Sequence, residues 1–146
     1  MCDRQIIQSQ TNLQTHLWIL QGIINRMAGN SGTCKTLCVT LVAAICAVAA
    51  SANNPKILLI SVLPVVIFCL LDIYYLSLER GFRLQYNSFV EKLHRQELSS
   101  EDFFVIKSPD GYSRFSHCIG SFKSWSIYIA YPGVLLVVGV IFFAIK

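Results

Sequence analysis

Apolar residues in this chain fall into long uncharged runs and periodic stripes, and the two kinds of stretch are joined end to end. Ile57 to Leu71 carries no charge, and the apolar character runs past Asp72 to Leu78. At 1.5 Å per residue such a run spans about 30 Å, the thickness of a bilayer core. The chain then turns amphipathic without a breaker. Tyr75, Leu78, Phe82, Tyr86, Phe89 and Leu93 recur three and four apart, on one helical face, while Arg80, Arg83, Asn87, Lys92 and Arg95 cover much of the rest. The spacing predicts one helix that leaves the membrane and continues into the cytoplasm; Gly81 alone costs it only about 1 kcal/mol.

A second stripe precedes it. Leu13, Leu17, Leu20, Ile24 and Met27 form a heptad-like seam, widened by Trp18, Ile19 and Ile23, with Gln14, Thr15, Gln21, Asn25 and Arg26 opposite. Such a helix either lies in the interfacial plane with Trp18 at headgroup level, or packs against the 75–93 seam or its own copies. Lys and Arg are sparse, which favours protein packing. Gly29 and Gly32 predict a break or hinge over 29–35, with Lys35 at the membrane edge.

Residues 36–52 form a first span whose Thr36, Thr40, Ala43, Ala44, Ala47, Ala50 and Ser51 allow close helix approach. Lys35, an apolar core and Ala50-Ser51-Ala52 resemble a signal-peptide cleavage site. The amphipathic stretch before them is too long for a signal's leading region, so the span reads as retained. Asn53-Asn54-Pro55-Lys56 predicts a tight turn with Asn54 as cap and Pro55 at the first helical position. Residues 36–76 are thus a transmembrane hairpin, with Pro64 predicted to kink its second arm.

Residues 96–124 resemble a small soluble segment. Ser99 to Asp102 reads as a helix start, Phe103 to Ile106 is short and apolar, and Ser108-Pro109-Asp110-Gly111 is a turn signal. Residues 125–145 are a third span, rimmed by Trp125, Tyr128 and Tyr131, and bent at Pro132-Gly133. The fold class is an all-α integral membrane protein. Its units are 1–35, an amphipathic helix and hinge; 36–76, the hairpin; 77–124, a cytoplasmic helix and small segment; and 125–146, the third span.

Charge placement orients it. With the N-terminus cytoplasmic, Arg4, Arg26, Lys35, Arg80, Arg83, Lys92, Arg95, Lys107, Arg114 and Lys123 are inside and only Lys56 and Lys146 outside. The C-terminus is then extracytoplasmic. The net charge of +4 therefore reads as juxtamembrane charge facing anionic lipid, and no direct nucleic-acid binding is expected. With 54% hydrophobic and 14% charged residues, composition agrees with a membrane protein.

The six cysteines form no CxxC pair and read as small apolar side chains and free thiols. No phosphate-cradling glycine loop, His-Glu-x-x-His motif or nucleophile elbow is present, and His16, His94 and His117 are scattered. Neither an enzyme, a metal site nor a cofactor is expected. Asp72 is the most informative residue. An acid near the end of an apolar run must be hydrated or paired, here with Arg26, Lys35 or a neighbouring subunit, unless it sits solvated at the headgroup boundary. Asp72, Glu79, Arg80 and Arg83 are the candidate coupling point between membrane and cytoplasmic helix. Leu13, Leu17, Leu20, Ile24, Phe82, Tyr86 and Phe89 are the candidate packing residues.

Two stretches look familiar together. One is His16…Leu20-Gln21-Gly22-Ile23-Ile24-Asn25-Arg26-Met27-Ala28…Ser31…Lys35…Val39-Thr40-Leu41-Val42-Ala43-Ala44. The other is Leu71-Asp72-Ile73-Tyr74-Tyr75-Leu76…Glu79-Arg80…Phe82-Arg83…Tyr86. They resemble a poorly characterised family of small bacterial three-span membrane proteins associated with antiphage defence neighbourhoods. The resemblance covers about residues 13–90; it extends to the rest only in layout. It implies an oligomeric inner-membrane effector that opens or disrupts the membrane when a defence signal triggers it. The alternative is a non-catalytic anchor or scaffold that recruits a cytoplasmic enzyme through residues 77–124. A third reading is an unregulated, holin-like toxin. The expected partners are membrane lipids, further copies of the chain, and a cytoplasmic protein or nucleotide-signalling partner.

Overall fold

The computed structural model describes residues 2–98, 102–106 and 125–145, with side chains from residue 10 onward. Three helices dominate: α1 (Cys2–Ser51), α2 (Val62–His94), entered through a 3-10 stretch at Pro55–Ser61, and α3 (Trp125–Ile145). Gln10–Ser51, Pro55–His94 and Trp125–Ile145 are each long and apolar enough to cross a membrane. The protein is an all-α, multi-pass membrane protein with three candidate spans.

α1 and α2 are antiparallel and run alongside each other. Ser31 and Lys35 face Asp72, Leu20 and Ile24 face Phe82, and His16 faces Phe89. The helices therefore form a two-helix stalk beyond the apolar spans and a hairpin within them. The turn between them follows the sequence. Asn53 takes a left-handed φ of 47°, which its short side chain tolerates. Asn54 Oδ1 accepts from the Lys56 amide at 3.1 Å, and Pro55 opens the next helix, where its missing donor is harmless.

Pro64 acts differently from a mid-helix kink. α2 starts at Val62, so Pro64 falls in its first turn, where an amide has no intrahelical acceptor. The irregularity lies just before it, as the change from 3-10 to α winding at Ser61. Ser61 is fully buried and its hydroxyl donates to the Leu58 carbonyl at 2.6 Å. Pro132 does sit inside α3, and leaves the Tyr128 carbonyl without its backbone donor.

The hinge expected over 29–35 is absent: α1 is helical throughout, so no boundary falls at residue 35, and α2 likewise passes through residue 76. Glycine lowers helix propensity, but packing along α2 outweighs that penalty. Ser31 and Lys35 are tied to Asp72, one helical turn apart, across the same stretch. Thr33 and Thr36 hydroxyls donate back to the carbonyls of Gly29 and Gly32. Nothing lies within 4 Å of a Cβ built on either glycine. Gly29→Ala with Gly32→Ala should therefore raise helix stability by about 1 kcal/mol per site, read as a higher Tm by circular dichroism in dilute detergent. An unchanged or lower Tm would mean that the glycines are needed for a contact beyond the single chain.

Of the two placements open to the first amphipathic helix, the favoured one, packing against the 75–93 seam, is the one adopted. Its seam packs on α2 within the same chain, because both apolar stripes are best covered by each other. Leu20, Ile24 and Phe82 are buried with Ile23 and Tyr86 around them. Leu13 and Leu17 are half-buried, Phe89 is buried, and Trp18 is 81% exposed on the opposite side. Within the spans a second core joins all three helices through Cys38, Val42, Ala49, Leu58, Val65, Ile73, Ile127, Tyr131 and Val138. The Ser99 cap and the 108–111 turn lie outside the described residues.

Candidate functional site

An acid on an apolar helix has to be neutralised, and the stalk-to-span junction supplies the means. Asp72 is 0% exposed. Its carboxylate is met from both other helices. From α1, Ser31 donates to Oδ1 at 2.5 Å and Lys35 Nζ lies 2.7 Å from Oδ2. Lys35 also donates to Ser31 Oγ at 2.9 Å, so the i,i+4 pair acts as one unit. From α3, the Tyr131 hydroxyl lies 3.2 Å from Asp72 Oδ2 and 3.0 Å from the Phe68 carbonyl, and its proton is shared between them. Each carboxylate oxygen thus has a donor, the condition under which a buried charge is tolerated.

The depth of this knot follows from α3. Tyr131 is six residues into the helix, about 9 Å below Trp125 at 1.5 Å per residue. Trp125 and Tyr128 are exposed, as in an aromatic rim. Asp72 is enclosed by the three helices and is not a solvated carboxylate. Of the partners weighed for it, Lys35 is the one it meets.

The other candidate coupling residues belong to a separate place. Glu79 lies two turns further along α2, buried, and pairs with Arg83 at 2.6 Å on its own helix. Arg80 is exposed and has a partner of its own. Asp72, Glu79, Arg80 and Arg83 thus share a helix without forming one cluster. From sequence, Ser31 stands only within the familiar motif and Tyr131 only as an aromatic of the rim, neither as a partner of Asp72. The signal for Ser31 was its spacing of four from Lys35 on the buried face; for Tyr131, only a polar group in a span.

A second polar cluster lies in the stalk. His16 is 1% exposed, against the ring of Phe89 with centroids 4.3 Å apart. Its Nδ1 accepts from the Phe104 amide at 3.0 Å. Burial pushes its pKa below the ordinary imidazole value. Cys34, Cys38, Cys46 and Cys69 are free thiols. Among the described residues no three His, Cys, Asp or Glu side chains gather as a metal site.

The junction joins three helices by charge and hydrogen bonds, which suits a structural latch. Comparison with protein-family models, curated proteins and solved structures finds no match to this chain.

Proposed function

We propose that this protein is a non-enzymatic, oligomeric effector of the bacterial inner membrane, held shut by the Lys35–Asp72 knot and opened by an upstream signal, in antiphage defence. The observation that carries this reading is the knot itself. One buried carboxylate ties all three helices where stalk and spans meet, so losing one contact frees several elements together. A polar latch within the apolar layer is a bistable element: satisfied when closed, and expensive when split unless water enters. On this reading the N-terminus and stalk are cytoplasmic, and the C-terminus is outside, following the positive charge.

Assembly is supported by the face of α1 turned away from α2. Gln14, Trp18, Gln21, Asn25, Gly29, Gly32, Thr36, Ala43, Ala47 and Ala50 are all exposed and uncharged along one line. Small residues and amides suit helix-to-helix contact between copies both inside and outside the bilayer. The heptad-like seams no longer argue for assembly, because they satisfy each other within one chain. That same self-contained stalk favours the second reading, a rigid anchor that presents its tip to a cytoplasmic enzyme.

Membrane potential separates the two. Wild-type chain alone should leave cells polarised, and should depolarise them when expressed with its genomic neighbours during phage infection. Asp72→Asn, which leaves Lys35 unpaired, should depolarise without infection, provided that membrane fractions contain it at wild-type level. Polarised cells in every condition would sink the effector reading and leave the anchor.

A further inference from the structure

We propose that residues 102–106 are a strap laid over the stalk, latched by the neutral ring of His16 and let go when that ring takes up a proton. Hydrogen bonds, an ion pair and ring contacts hold it. The Phe104 amide donates to His16 Nδ1 at 3.0 Å. Gln85 Nε2 donates to the Val105 carbonyl at 3.0 Å. Lys92 pairs with Asp102 at 2.9 Å, and the Phe103 ring packs edge-on to Phe89 at 6.0 Å. The strap therefore touches α1 at His16 alone among these contacts, through that hydrogen bond and the edge-on Phe104 ring at 6.3 Å, and α2 through the rest.

The contact to α1 is the one that depends on proton count. A neutral imidazole keeps a lone pair on one nitrogen; an imidazolium carries N–H on both. Protonation would turn Nδ1 from an acceptor into a donor that faces the Phe104 donor. Phe104 adds a bias towards release. Its φ is 63°, the left-handed region that a bulky residue adopts only when neighbours hold it there. The charged groups facing His16 across the adjoining cavity of about 190 Å³ are Lys92 from α2 and Asp102 from the strap. They pair with each other, so neither holds a proton on the ring. Among the described residues, α1 contributes no other titratable group to that cavity.

The sign follows from burial. The latched ring holds its proton less readily than a free imidazole. Latch strength is therefore complete above the ordinary imidazole value and declines as pH falls below it, until the latched ring itself titrates. This concerns the stalk alone and stands whether or not the protein forms a pore.

The test is hydrogen exchange of the full chain in nanodiscs, followed by mass spectrometry on peptides covering 102–106 and corrected for intrinsic exchange. Protection should fall by up to about tenfold per pH unit below the free imidazole value, the slope for one linked proton. In His16→Gln the pH dependence should vanish, whether its strap stays docked or not. Lys92→Met should keep it. Nitrogen-15 spectra of the wild type should show His16 with Nδ1 bare at neutral pH. Flat protection in the wild type, a pH response that persists in His16→Gln, or a protonated Nδ1 at neutral pH would each overturn the proposal.

Discussion

Lys35→Met alone should destabilise the three-helix junction by about 3–5 kcal/mol, and adding Asp72→Leu should restore most of that loss. The single change leaves a carboxylate at 0% exposure with only Ser31 and Tyr131 to donate to it. Neither hydroxyl carries a charge, and the carboxylate is closed off from solvent. The double change removes both charges and puts two apolar side chains where α1 and α2 touch. Unfolding of both variants in graded detergent mixtures, followed by circular dichroism, measures the difference. If the two losses simply add, the pair is not coupled and the latch reading fails with it. Under the proposed function the double variant has a further expected phenotype: it should fold, stay closed and fail to answer the trigger, because an apolar junction has no second state to relax into.

Phe82→Ala should cost about 3–5 kcal/mol and act on the stalk rather than on the spans. Phe82 is 9% exposed and sits between Leu20, which is 0% exposed, and Ile24. Removing its ring opens a cavity in the only apolar cluster that joins α1 to α2 around this level among the described residues. Hydrogen exchange should then rise in residues 17–28 and 79–90 while the span peptides stay protected. Equal loosening of the spans would mean that stalk and membrane core unfold as one unit. Trp18→Ala is the natural control, since at 81% exposure that ring adds nothing to the single chain.

The three helices and their order were legible because uncharged runs of bilayer length have few other readings. The turn at 53–56 was legible too, since Asn54 and Pro55 each serve a local geometric need. Asp72 could be marked from sequence as needing a partner, but its partners could not be chosen. Lys35 and Ser31 lie about forty residues away, and the register of α1 on α2 decides which residues arrive. That register depends on the summed fit of both seams. The hinge expectation failed for a related reason: local propensity at Gly29 and Gly32 is weaker than the packing on either side. His16 was invisible because a histidine on a leucine seam looks like a core position. Only the strap from 88 residues away gives its Nδ1 a role.

The unbroken helices on either side of Lys35 have a mechanical consequence. α1 reaches from residue 2 to residue 35 on the stalk side of the knot, about 50 Å, and from residue 35 to residue 51 on the other, about 24 Å. With no hinge at 29–35, the knot is a fulcrum and the helix is a lever. A sideways push of the distal tip moves the far end of the first span the opposite way by roughly half as much. The force needed falls the further from the membrane it is applied. A binder weak enough to be reversible could therefore shift the spans, if it grips near residues 10–16 rather than near the bilayer.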